Sequence, residues 1–339
     1  MLLVGKKNSY FFVVFSFIFL FAILPLSFLV GGRDISIGTD TENYYNLYYW
    51  FVESKYMALE PGIYIFAYIS DLLNGGAFLF FSSIFIFYYF CISFSYYNFF
   101  YSKLALQEFL VFYVFIWGAL LASSWFQVAT INVLRHGLAL TILYSSASML
   151  MNKKYMFGGC LYVVSILFHY SLIMVFPFVF LFLLKERMFY FSYFLLAVFY
   201  PLGVNEVLIS FLSSITGIPL YSLVSSYAED NLLYVGFNLY FYLYTIFWTL
   251  SGLFVIRFFC RPEMKSLLKD MLRIYSVLSM IYFVFGFAAF SNRYAFFSWL
   301  FIPFLQTALM SSVNVISNIK AYIALLFLII GFINYYFLF

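Results

Sequence analysis

The stretch that decides the fold is residues 131–169, INVLRHGLALTILYSSASMLMNKKYMFGGCLYVVSILFH. It sets Asn132, Arg135 and His136 on an apolar segment long enough to cross a bilayer, and it closes on His169. A guanidinium at mid-membrane costs about 3 kcal/mol on insertion scales, so it normally faces protein or a wet cavity and has a function there. The residues that follow, Gly137, Ala139, Thr141 and Ser145 to Ser148, are small or hydroxylated and permit close helix packing. At least one face of this helix is therefore set against protein.

The remainder of the 339 residues extends that reading: 66% are hydrophobic, 26% aromatic and only 9% charged. Such a chain belongs with all-α polytopic membrane proteins. A net charge of +4 gives no support to a nucleic-acid partner, and the basic residues fall between apolar stretches, where orientation signals belong. Cys91, Cys160 and Cys260 are odd in number and widely spaced, which suggests neither a disulfide framework nor a metal site.

Apolar stretches that span wholly or in part are Tyr10 to Val30, Ala77 to Tyr97, Phe109 to Phe126, Val128 to Met151, Tyr155 to Leu184, Met188 to Val204, Gly236 to Ile256, Ile274 to Phe290, Tyr294 to Met310 and Ala321 to Phe339. The first, without a small-x-small cleavage site behind it, is expected to remain as a transmembrane helix. With a cytoplasmic N-terminus, Ile63 to Leu73 only dipping into the outer face and Tyr155 to Leu184 turning near His169, one side collects Lys6, Lys7, Lys103, Lys153, Lys154, Lys185, Arg187, Arg257, Arg261, Lys265, Lys269, Arg273 and Lys320, thirteen of the seventeen basic residues. The positive-inside rule favours this arrangement, a single transmembrane domain over 1–339 with about eleven crossings. Two outer loops, 31–61 and 205–235, carry most of the acids, including Glu206, Glu229 and Asp230 in the second; the basic stretch 257–273 is expected on the inner headgroups.

Tyr155 to Leu184 is long for one helix and short for two, so a broken or re-entrant pair is expected, with His169 beside a cavity at the break. An imidazole there suits proton removal from a hydroxyl; the other reading is a hydrogen-bonded core histidine. Arg135 offers donors suited to phosphate oxygens, or it snorkels to headgroups or pairs with a loop carboxylate. His136 points about 100° away from it around the helix, so both border one cavity without aiming at one atom. Arg293, in FSNRYAFFSWL, is either a second arginine at the outer level, as a pyrophosphate site needs, or an ordinary loop arginine. The first loop, GGRDISIGTDTENYYNLYYWF, mixes glycines, acids, Arg33 and tyrosines in a way that suits sugar binding, against the reading of a solvated loop; Asp40 and Glu42 are a weak cation signal. No metalloprotease, nucleophile-elbow, Walker or dinucleotide pattern is present.

Taken together, Arg33, Gly38, Thr39, Asp40, Thr41 and Tyr44 in the first loop, Glu60–Pro61 before the next apolar run, Asn132, Arg135 and His136, then Phe168, His169 and Ser171, and a late Arg293–Tyr294 resemble the EpsG-like branch of the O-antigen and exopolysaccharide polymerases, the Wzy proteins. His136 stands where glutamine is the more usual residue. The resemblance implies a fold akin to GT-C lipid-linked glycosyltransferases. It implies a multi-pass enzyme of the bacterial inner membrane that joins undecaprenyl-pyrophosphate-linked oligosaccharide repeat units at the periplasmic face, with no cofactor. Arg135, Arg293 and Arg33 would hold pyrophosphate, His169 or else Asp40 would act as base, and Asn132, His136, Glu60 and Tyr44 would contact sugar. Membrane lipid and a chain-length regulator are the further partners implied. The rival readings are a flippase for the same lipid-linked sugar and a membrane polysaccharide O-acyltransferase.

Overall fold

The computed structural model describes residues 2–217, 221, 236–288, 290–314 and 317–338, the side chains of 2–6 and 317 excepted. The described residues contain no strand, and their contacts divide the chain into two compact units, 1–172 with 314–339, and 173–313.

In the first unit, α1 (Leu2–Ile18) passes through a π-helical turn (Phe19–Ile23) into α2 (Leu24–Gly31). Pro25 explains the turn, because it has no N–H to close the preceding ladder. Then come α3 (Thr41–Ser54), α4 (Tyr64–Leu72), α5 (Gly76–Phe100), α6 (Leu106–Ala122), α7 (Ser124–Ile131), α8 (Leu134–Met151) and α9 (Tyr155–Phe168). The helix Ser317–Tyr336 completes the unit against α6. There Gly118 and Gly331 let the two backbones meet: a Cβ on Gly118 would lie 2.4 Å from the Leu328 nitrogen.

Helix α8 is the centre of this unit and is buried on almost every side. Its hydroxyls serve the close packing foreseen for them: Ser145 Oγ lies 2.9 Å from Ser95 Oγ, and Ser146 Oγ donates to the Gly158 carbonyl at 2.7 Å. A Cβ on Gly137 would collide with the Tyr88 hydroxyl, so glycine is what allows α5 this near.

Five helical segments among the described residues are long and apolar enough to cross a membrane: Lys7–Gly31, Gly76–Phe100, Leu239–Phe258, Ser291–Ser312 and Asn318–Tyr336. The number rises to seven if two bent pairs, Leu106–Ala122 with Ser124–Ile131 (70°) and Glu186–Phe199 with Val204–Thr216 (96°), each make one crossing. The other stretches expected to cross form helices that are shorter, as in Tyr155–Phe168, or that carry charge at one end, as in Leu134–Met151 and Lys265–Phe285.

Several boundaries differ from the expectation. The stretch expected to run to Phe126 breaks at Ser123, whose backbone is extended (φ −83°, ψ 122°), at a Ser-Ser pair that competes for backbone hydrogen bonds. Val128 to Met151 is interrupted at Asn132–Val133, so Arg135 stands in the first turn of α8. Met188 to Val204 turns at Pro201–Gly203, where Gly203 takes φ +70°. The loop 31–61 contains α3, whose buried residues Thr41, Tyr44, Leu47, Tyr48 and Phe51 form one helical stripe. Helix Val204–Thr216 occupies the start of loop 205–235; Glu229 and Asp230 lie outside the described residues. Helix Lys265–Phe285 begins within the basic stretch 257–273 and buries Leu267, Leu268, Met271 and Leu272.

The two ends of the first unit differ in charge. At one end Lys7 donates to the carbonyls of Tyr101 and Leu104, Asn152 ties to the Asn98 carbonyl at 2.8 Å, and Lys320 pairs with Glu108 at 3.0 Å. At the other end lie the close of α2, the short helices α3 and α4, the α7–α8 junction and the close of α9.

In the second unit, Lys265–Phe285 is the buried helix. Asn205 Nδ2 donates to the Phe283 carbonyl at 2.6 Å, Trp299 Nε1 to Thr245 Oγ1 at 2.9 Å, and Lys269 pairs with Glu186 at 2.5 Å.

Candidate functional site

The site begins with a proline. Residues before proline are pushed toward extended backbone, and Glu60 (φ −59°, ψ 141°) obeys, turning the chain into the short 3₁₀ element Pro61–Ile63 ahead of α4. Gly62 then packs on the close of α9: a Cβ there would lie 2.6 Å from Phe168 Cγ and 2.9 Å from the Leu167 carbonyl. Only a glycine lets the loop come this close. The contact brings the Glu60 carboxylate, 6% exposed, to the residue after Phe168.

That residue is His169, where α9 stops and the backbone turns extended (φ −161°, ψ 115°) before the 3₁₀ turn Tyr170–Val175. Its Nδ1 lies 2.8 Å from Glu60 Oε1, and the Tyr170 backbone N–H donates to the same oxygen at 3.3 Å. Glu60 Oε2 accepts from the Arg135 guanidinium. Arg135 comes from the first turn of α8, after the break at Asn132–Val133; the Tyr88 hydroxyl stabilises that break, lying 2.9 and 3.0 Å from the Ala129 and Leu134 carbonyls.

Burial pushes the Glu60 carboxyl up, but the His169 hydrogen bond and the Arg135 charge outweigh it and hold its pKa down to about 2. Glu60 is therefore an anion that only accepts hydrogen bonds. Because Glu60 can only accept, the proton between the two sits on Nδ1, which leaves Nε2 as the ring nitrogen that Glu60 does not engage. A carboxylate that fixes the tautomer of a histidine is the arrangement found in general-base pairs.

The other predicted residues gather unevenly. His136 sits with its ring 4.9 Å from that of His169, so these neighbours on α8 approach the centre through different partners, Arg135 through Glu60 and His136 through the His169 ring. Tyr44 is buried on α3, and its hydroxyl is within electrostatic reach of Arg135. Asn132 Oδ1 accepts from the Thr39 N–H at 2.9 Å and so ties the first loop to the α7–α8 junction. Asp40 is half-exposed at the start of α3, one turn before Tyr44, without a capping hydrogen bond. Arg33 closes α2 through the Val30 carbonyl and lines a separate cavity. Arg293 belongs to the second unit, in the first turn of Ser291–Trp299, with its guanidinium 4.4 Å from the Phe290 ring centre. Arg135 pairs with a loop carboxylate, one of the three arrangements open to it from the sequence. The central position of Glu60 is not evident from the sequence, where a Glu-Pro ahead of a short apolar run is its only signal. Among the described residues no group of three or more His, Cys, Asp or Glu is arranged to hold a metal ion.

A groove of about 880 Å³ runs along α1, α5, α8 and α9, walled by Phe11, Phe15, Phe90, Phe94 and Val164, with Asn8, Asn98 and Lys154 at the basic end of the unit. Phe87, also on its wall, stacks on Phe168 with ring centres 6.2 Å apart, so the groove approaches the residue next to His169.

The family model described as EpsG family matches residues 16–339 of the chain. No curated protein and no solved structure matches the chain.

Proposed function

The chain belongs to the EpsG family, and from that membership and the Glu60 centre we propose that it is a polysaccharide polymerase of the bacterial inner membrane. In this reading it joins undecaprenyl-pyrophosphate-linked oligosaccharide units at the periplasmic face. The observation that carries the proposal is the shared carboxylate: Glu60 binds Arg135 on one oxygen and His169 on the other.

The chemistry follows from the parts. A hydroxyl of the incoming unit gives its proton to His169 Nε2 as its oxygen bonds to the reducing-end sugar carbon of the growing chain. The bond from that carbon to pyrophosphate breaks, and the pyrophosphate leaves with the electron pair. Glu60 holds the imidazole in the basic tautomer and stabilises the imidazolium that forms. The Arg135 charge lies beside this centre and opposes the negative charge building on the leaving group. His136, Asn132 and Tyr44 are the sugar contacts, and the phenylalanine groove takes the polyprenyl chain. No cofactor is required, because the donor arrives activated. The gathering of basic residues at the end of the unit away from Glu60 supports a periplasmic centre.

The test is deletion of the gene in its host, with the surface polysaccharide run on a gel beside the parent. Collapse of the ladder to a single repeat that still reaches the cell surface is the expected result. Loss of that single repeat would favour a flippase, and an unchanged ladder with altered acetyl content an O-acyltransferase.

A further inference from the structure

Three buried tyrosines of α5 donate to carbonyls of other helices: Tyr88 at the α7–α8 junction, Tyr89 to Phe15 of α1 and Tyr96 to Phe109 of α6. Tyr96 meets the unbroken body of its partner helix. Tyr88 meets a break, and just past that break, in the first turn of α8, stands Arg135.

The break leaves a carbonyl without its helical donor. The N–H groups of Asn132 and Val133 both turn to the Val128 carbonyl, at 2.9 and 3.0 Å, so the Ala129 carbonyl that Val133 would engage in an unbroken helix is passed over. Ala129 is fully buried, and an unmet carbonyl there is costly. The Tyr88 hydroxyl lies 2.9 Å from it and 3.0 Å from the Leu134 carbonyl, which belongs to the ladder of α8. With a single proton to give, the hydroxyl serves the carbonyl that the helix has passed over.

Nothing local compels a break at this point, since residues 128–134, VATINVL, contain neither glycine nor proline. The Thr39 N–H holds Asn132 from the first loop, through its side chain and not through the backbone. Gly137 makes room for the tyrosine: a Cβ there would lie 2.2 Å from the Tyr88 hydroxyl and 2.9 Å from the Ala129 Cβ. Val133 (φ −110°, ψ 50°) is outside the helical region, so the direction in which Arg135 leaves α8 is set by the break and not by the register of α7.

We infer that Tyr88 is a positioning residue for Arg135: by donating to the Ala129 carbonyl from the neighbouring helix it holds the chain open at Asn132–Val133, and through that break it aims the guanidinium at Glu60. Its hydroxyl is spent on the backbone, so it acts on the Glu60 centre only through Arg135. The placement of Arg135 stands on geometry, while its consequence for rate rests on the polymerase reading.

The first test is a thermal double-mutant cycle on the purified full-length protein in detergent. Tyr88→Phe removes the hydroxyl, keeps the ring and loosens Arg135 from Glu60, so Arg135→Gln costs less on top of it. The midpoint drop of the double variant is expected to be smaller than the sum of the two single drops. Tyr96→Phe, an equally buried tyrosine on the same helix, is the control, and its drop and that of Arg135→Gln are expected to add. Gly137→Ala keeps the hydroxyl but drives it from the break; it enters the same cycle, so that the outcome does not hang on one variant folding. The second test follows polymer formation. Tyr88→Phe combined with Arg135→Gln is expected to be no slower than Arg135→Gln alone, because residues that act as one unit do not lose rate twice. Additive midpoint drops for both Tyr88→Phe and Gly137→Ala, or a double variant slower than Arg135→Gln by the full factor of Tyr88→Phe, overturn the inference. Absence of polymer from the wild type overturns the polymerase reading instead, and the thermal cycle then decides the role of Tyr88 by itself.

Discussion

Glu60 Oε1 lies 2.8 Å from His169 Nδ1, and through its other oxygen the same carboxylate accepts from Arg135. One loop acid thus joins the close of α9 to the start of α8. If this pair activates a hydroxyl, then His169→Gln removes the base and lowers polymer formation by on the order of 10²-fold or more. Glu60→Gln, which frees the tautomer, lowers it at least tenfold, and Glu60→Asp restores part of the rate. Membrane-level western blots must show equal protein for the comparison to count.

Gly62 makes the approach of Glu60 possible, since any Cβ there would enter Phe168. Gly62→Val is expected to act like a loss of Glu60, lowering polymer yield at unchanged expression. Gly159, beside which a Cβ meets nothing within 4 Å, is the matched control: Gly159→Ala should leave the ladder as it is.

The charge of Glu60 sets an acid limit. Its folded pKa is held to about 2 against an ordinary 4.5, so the unfolded chain binds this proton more readily than the folded one. The stabilisation is complete above about pH 4.5 and is lost as pH falls toward 2. Thermal midpoints of wild type and Glu60→Gln, measured in detergent from pH 6 to 3, should converge as the wild type loses this contribution.

Helix packing in the first unit rests on Gly118, where a Cβ would lie 2.4 Å from a backbone nitrogen of the facing helix Ser317–Tyr336. Gly118→Ala must separate the two helices and is expected to cost about 1–3 kcal/mol. A lowered thermal midpoint in detergent, with the Glu60 centre intact in sequence, is the measurement.

How much of this was legible beforehand varies by residue. Arg135, His136 and His169 declare themselves, because charged and titratable groups in so apolar a chain require a reason, and the break at His169 follows from the length of Tyr155 to Leu184. The break before Arg135 is not legible: Asn132–Val133 contains neither glycine nor proline, and what sustains it is the hydroxyl of Tyr88, more than forty residues away. By resemblance Glu60 reads as a sugar contact, because its partners are distant in sequence and only the seating of Gly62 on Phe168 unites them. Arg33 reads as a pyrophosphate contact through the resemblance alone, and its burial beside neutral partners is not legible in the sequence.

The central claim is that the Glu60–His169 pair drives bond formation between lipid-linked units. It is tested most directly with purified protein and a synthetic polyprenyl-diphosphate-linked repeat unit, by following the ladder of products over time. Wild type should extend the unit into a ladder while His169→Gln, equally folded and equally able to bind the substrate, yields almost none. Ladders of equal rate and length from the two proteins would contradict the account.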